Sequence, residues 1–145
     1  MTTPHDYFGR MMLDEQHRKY QATLEIALGH KISVTLDWAG IPLSEALTRS
    51  QVACDLIRVR EPEYRTNIAQ NLLSLYNDTW RDGEALNSDG FMRRISLSSM
   101  QLCPAEFGSD GSATLYYADG ELFAGHSIEV FLDADFNYLN SQIAG

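Results

Sequence analysis

Lysine and arginine are scarce in this chain, and after Arg94 there are none. Its 145 residues include 11 basic and 20 acidic side chains, a formal charge of −9. Nucleic-acid binding rests on clustered Lys and Arg set against phosphate, so this balance argues against a nucleic-acid partner. The deficit is uneven: residues 1–72 stand near neutrality at −1, whereas residues 73–145 carry −8. Cysteine is scarce too. Cys54 and Cys103 have no partners at metal-ligand spacing, and such sparse usage suits a reducing compartment better than a secreted disulfide scaffold, so both read as thiols.

Long apolar runs are missing. None approaches the ~18–20 residues that a membrane span requires, and the start, "MTTPHDYFGRMM", lacks the charged-then-apolar pattern of a signal peptide. The expectation is a cytoplasmic protein with no membrane partner. His5, His17 and His30 show no HxxxH or HxH spacing, and the chain has no phosphate loop, nucleophile elbow or dinucleotide fingerprint. No metal and no cofactor is expected.

What is present is a composition of 44% hydrophobic residues in one regime from end to end. That fits a single domain, residues 1–145, burying roughly 68–70% of its unfolded surface. "RKYQATLEIALGHKISVTLDW" alternates with period two: Tyr20, Ala22, Leu24, Ile26 and Leu28 share one face, and Ile32, Val34, Leu36 and Trp38 share the next. This predicts a hairpin turning on Gly29-His30, with "FGRMML" as a weaker strand before it.

The period then becomes helical. Leu43, Leu47, Ser50, Cys54 and Ile57 form one stripe; Tyr64, Ile68, Leu72, Leu75 or Tyr76, and Trp80 form another. Pro62 between them predicts two helices, because proline disfavours helix at the residue before it. "NDTWRDGEALNSDGF" reads as a loop. "FMRRISLSSMQL", "SATLYYA", "ELFAGHSIEVFLD" and "FNYLNSQIA" read as strands, with Asp-Gly turns in "SDGS" and "ADGE". The expected fold is α+β: an N-terminal β-hairpin, two central helices, and a C-terminal antiparallel meander of about four strands packed on the helices.

Counting by two along the third of these strands places Leu122, Ala124, His126, Ile128, Val130 and Leu132 on one face. His126 is therefore expected in the core, satisfied by a neighbouring polar group, with Gly125 admitting a close neighbour. Ser127 points to the other face and cannot serve His126 as a nucleophile. "DADFN" sets Asp133, Asp135 and Asn137 at calcium-loop spacing, but Tyr138 and Ala144 stand where a glycine and a glutamate would be needed, so a hairpin turn is expected instead.

The stretch "LYYADGELFAGHSIEVFLDADFNYLNSQIAG", preceded by "FMRRISLSSMQL" and "YNDTW", resembles a family of bacterial domains of unknown function that closes with a Gly-His-Ser-Ile strand, a short acidic turn and a terminal I-x-G. Gly125, His126 and Ser127 match that motif. The resemblance implies a compact α+β protein, and relatives of such families are read as immunity proteins encoded beside toxins. It carries over no catalytic residue.

The functional expectation is a non-catalytic binding module meeting a basic protein through Asp119, Glu121, Glu129, Asp133 and Asp135, projected together from the acidic half. The alternatives are a small hydrolase or transferase with His126 as general base, and a homodimerising structural domain using its seven Tyr and two Trp.

Overall fold

The computed structural model describes residues 2–5 and 7–144. The terminal Gly145 of the I-x-G pattern lies outside the described residues. Four strands come first: β1 (Thr2–His5), β2 (Gly9–Asp14), β3 (Lys19–Ala27) and β4 (His30–Asp37). Two helices follow, α1 (Leu43–Leu75) and α2 (Ser88–Arg94), and then β5 (Ser96–Leu102), β6 (Ala113–Ala118), β7 (Ser127–Leu132) and β8 (Tyr138–Ala144).

The described strands form one eight-stranded sheet whose spatial order is the chain order. Every neighbouring pair is antiparallel except β4 and β5, which run parallel with Ser33 opposite Ser99 and Leu36 opposite Leu102. The exception follows from the connections: short turns permit antiparallel neighbours, whereas the helical segment between β4 and β5 carries the chain back to the end where β4 began. The class is α+β as expected, but the hairpin and the meander are parts of a single sheet.

One face of that sheet is buried. Tyr20, Ala22 and Leu24 of β3, Ile32, Val34 and Leu36 of β4, and Ile128, Val130 and Leu132 of β7 join a common core with Ile57, Tyr64 and Ile68 of α1. Side chains on the other face, among them Gln21, Thr23, Ser33, Tyr116 and Glu129, are exposed or half-buried. In β5, Leu97 and Met100 are both buried although three residues apart. A bulge between Leu97 and Ser99 makes this possible by adding a residue to the strand and restoring its phase.

Three local expectations are corrected. The β3–β4 hairpin turns on Leu28-Gly29, with Gly29 at φ +76° and Leu28 fully exposed, and His30 opens β4. The two expected helices are one helix of 33 residues that passes through Pro62. Proline removes the bond that its N–H would give the Arg58 carbonyl, but Ile57 and Tyr64, on either side of it, are buried in the same core and hold the two turns together. Phe91 lies in α2, a short helix capped by Asn87, whose side chain accepts from Gly90 N at 2.7 Å. Among the described residues no helix is long and apolar enough to cross a membrane.

Candidate functional site

The segment between β6 and β7 is a compact loop rather than the start of a long strand, and Asp119 is the reason. Its carboxylate accepts three main-chain N–H groups: Oδ1 from Glu121 at 3.0 Å, and Oδ2 from Phe123 at 2.8 Å and Gly125 at 3.0 Å. Folding six residues around one side chain forces left-handed backbone at Gly120, Glu121, Ala124 and Gly125. Gly120 sits where a Cβ would lie 2.1 Å from the Arg94 carbonyl oxygen. Gly125 has room for a Cβ, so the left-handed φ of +83° rather than a close neighbour explains it.

This loop moves His126 out of the core row. Leu122 and Phe123 are both buried, which alternation cannot achieve, and His126 is a half-buried residue at the entrance to β7. Its Nδ1–H donates to the Phe123 carbonyl at 2.6 Å, because a carbonyl can only accept. The ring meets Trp80 edge to face at 5.7 Å between centroids. Phe123 in turn makes edge contacts with Tyr76, Trp80 and Phe91. Ser127 is exposed at the start of β7.

The five expected partner-binding acids are not brought together. Asp119 is only 5% exposed and serves its own loop, which corrects its reading as a surface acid. Glu129 lies on the open face of the sheet, where its carboxylate accepts from Gln142 Nε2 at 2.7 Å. Burial and the neighbouring Glu129 carboxylate push the Tyr116 hydroxyl above its ordinary range. Asp133 caps the β7–β8 turn, its Oδ1 accepting from Asp135 N and Asn137 N at 2.9 Å each. The carbonyls of that turn are held by α1: Arg60 donates to Asp135 O at 2.6 Å, and Tyr64 to Phe136 O at 2.6 Å. Glu121 belongs to the loop at the opposite end of β7, ~20 Å from the Asp133 turn at the usual rise of a six-residue strand.

Glu121 does take part in a cleft that sequence periodicity missed. After Leu75 the helix widens into a π-helical turn, Tyr76–Trp80, closed by Arg81 N donating to Tyr76 O at 2.8 Å. Such turns occur where a helix must re-aim a side chain, and this one brings Trp80, 36% exposed, to the loop after β6. The resulting cleft, of about 390 Å³, has among its lining residues Tyr76 and Trp80, the acids Asp82, Glu84 and Glu121, and Arg94. The Arg94 guanidinium is tied to the Gly120 carbonyl at 2.6 Å. The one sequence signal for this site is "YNDTWRDGE", where acids crowd around Trp80. Among the described residues no three His, Cys, Asp or Glu side chains converge in a way that could hold a metal ion.

An open, mostly antiparallel sheet backed by a helical crossover defines an α+β domain with its cleft at one end of the sheet. The chain belongs to a family of uncharacterised proteins conserved in bacteria, DUF2262, which it matches over residues 5–143. No curated protein and no solved structure matches it.

Proposed function

We propose that this protein is a non-catalytic binding module whose Trp80 cleft receives a basic side chain of a partner protein. The observation that carries this reading is the lining of the cleft, in which two aromatic rings stand beside three carboxylates and one guanidinium already held by Gly120. A cation over an indole gains roughly 0.5–2 kcal/mol from the ring, and carboxylates at the rim add attraction and steer the approach. A role as the antidote to a basic toxin would be one instance of such binding. His126 as a general base has less support, because its contacts are a main-chain carbonyl and the Trp80 ring rather than an acid or a nucleophile.

The test uses a lysine- or arginine-bearing peptide followed by tryptophan fluorescence, with Trp80→Phe to separate Trp80 from Trp38. Binding should quench Trp80 and weaken as salt screens the carboxylates. Glu121→Lys should slow association, whereas Glu129→Lys, on the open sheet face, should leave it unchanged. A salt-independent rate that Glu121→Lys does not alter would remove the reading.

A further inference from the structure

A second cavity, sharing no residue with the Trp80 cleft, lies where Pro62 interrupts the hydrogen bonding of α1. It measures about 200 Å³, and its apolar wall is formed by Ile26 of β3, Ile57 of α1 and Leu97 of β5. Its polar side holds Arg58, Arg65, Glu61 and His30. It opens through Glu61, Pro62 and Arg65, residues it shares with a broader groove of about 590 Å³ reaching Arg93 of α2.

The arginines of this cavity are incompletely used. Arg58 donates one Nη2–H to the Glu25 carbonyl at 3.2 Å, and Arg65 pairs through Nη2 with Glu61. The Nε atoms of both are buried with no partner among the described residues. A buried donor without a partner is costly, and a guanidinium offers its Nε–H and a terminal N–H as a fork that fits an oxyanion. Two guanidiniums face one carboxylate here, which leaves a net positive cavity in a chain of charge −9. Beside the wall, Tyr117 pairs with Leu97 in the β5–β6 register, and its hydroxyl is buried without a partner among the described residues. Burial and the nearby Glu61 keep that hydroxyl protonated, so it too is a donor.

His30 is fixed rather than free. Its Nε2–H donates to the Leu97 carbonyl at 2.8 Å, an acceptor at the residue where the β5 bulge begins. The cavity therefore has a fixed floor, an apolar wall and an excess of N–H donors. We propose that it is a binding site for a small organic oxyanion, its carboxylate or phosphate on the Arg58 and Arg65 guanidiniums and its compact apolar body against Ile26, Ile57 and Leu97. The volume equals that of about six or seven liquid waters, which limits the ligand to a small acid.

Titration calorimetry on the full chain with sodium benzoate, phenyl phosphate, inorganic phosphate and benzylamine tests the assignment. Benzoate or phenyl phosphate should bind saturably, and whichever binds tighter identifies the head group. Arg58→Gln should weaken that binding about tenfold or more, the loss expected for a charge-assisted hydrogen bond. Arg65→Lys keeps a cation for Glu61 while removing the planar guanidinium fork, so it should fold as the parent does and lose affinity to a similar extent. Three results would overturn the proposal: no saturable binding of either aromatic anion, binding of benzylamine as tight as that of benzoate, or parental affinity in both folded variants. These outcomes are independent of the Trp80 cleft, since neither variant touches it.

Discussion

A Cβ on Gly120 would stand 2.1 Å from the carbonyl oxygen of Arg94, closer than any real contact allows. The pair fastens the end of α2 to the loop after β6, and Arg94 completes the clasp by donating from Nη2 to the Gly120 carbonyl. Gly120→Ala should therefore cost about 2–4 kcal/mol, since the methyl meets backbone and the left-handed φ of +58° adds its own strain. Urea denaturation measures it. A loss below about 0.5 kcal/mol, the level of an ordinary surface substitution, would mean that the clasp is slack.

Asp119→Ala should be costly for a different reason. It leaves the N–H groups of Glu121, Phe123 and Gly125 without their acceptor, and hydrogen bonds to a charged group contribute about 1.5–3 kcal/mol each without adding fully. A total loss of about 3 kcal/mol is expected from the same range. Asp119→Asn should not rescue it, because both carboxylate oxygens accept and an amide turns one of them into a donor. Equal stability of the parent and the Asp119→Asn variant in the same denaturation experiment would contradict this account.

His126→Ala should lower stability by only about 1 kcal/mol. The ring is half-buried, with one bond to the Phe123 carbonyl and one edge contact to Trp80, so its removal leaves no cavity in the core. The same substitution should change the Trp80 emission, since it removes a ring packed against the indole. A loss above about 3 kcal/mol would return His126 to the core position that strand alternation had assigned it.

Alkali should unfold the protein cooperatively. Burial pushes the Tyr64 and Tyr117 hydroxyls above their ordinary range and the Cys54 thiol up to about 12. The unfolded chain ionises these groups more readily, near 9.0 for cysteine and 10.0 for tyrosine. Stability is therefore complete below about 9 and is lost as pH climbs through the window between the unfolded and folded values. Phenolate absorbance for these residues should rise together with loss of circular dichroism. Smooth titration of every tyrosine at constant dichroism would show that the buried hydroxyls are accessible.

Much of the fold was legible where one face is buried and the other is wet. The alternation of Tyr20 to Leu24 and of Ile32 to Leu36 marks β3 and β4, and the stripes from Leu43 to Ile57 and from Tyr64 to Leu72 mark the two halves of α1, because in both cases periodicity records burial directly. It failed where a side chain captures its own backbone. Asp119 gathers three N–H groups and turns Leu122 and Phe123 inward together, so counting by two from Leu122 gave His126 a place it does not occupy. Pro62 misled for a related reason: its local preference was outweighed by the burial of Ile57 and Tyr64 on either side. The candidate clefts were harder still, since Trp80 and Glu121 line one cavity, and Arg65 and His30 another, only through the tertiary fold, and no spacing along the chain encodes that.

The parallel pairing of β4 with β5 makes the molecule two locally built halves joined by a single seam. Strands β1 to β4 form by hairpins between close neighbours, and so do β5 to β8, whereas the seam must wait for the whole helical segment to find its path. Across it, Arg60, Tyr64 and Asn71 of α1 reach over to hold the β7–β8 turn and Ser141. Contacts of such long sequence separation carry a loop-closure cost that the hairpins do not. A chain severed in the exposed 81–85 segment would present two fragments, each with its own hairpins, that recognise one another through the β4–β5 ladder, a shared core and helix-borne side chains such as Arg60, Tyr64 and Asn71: a natural split point for reconstitution from halves.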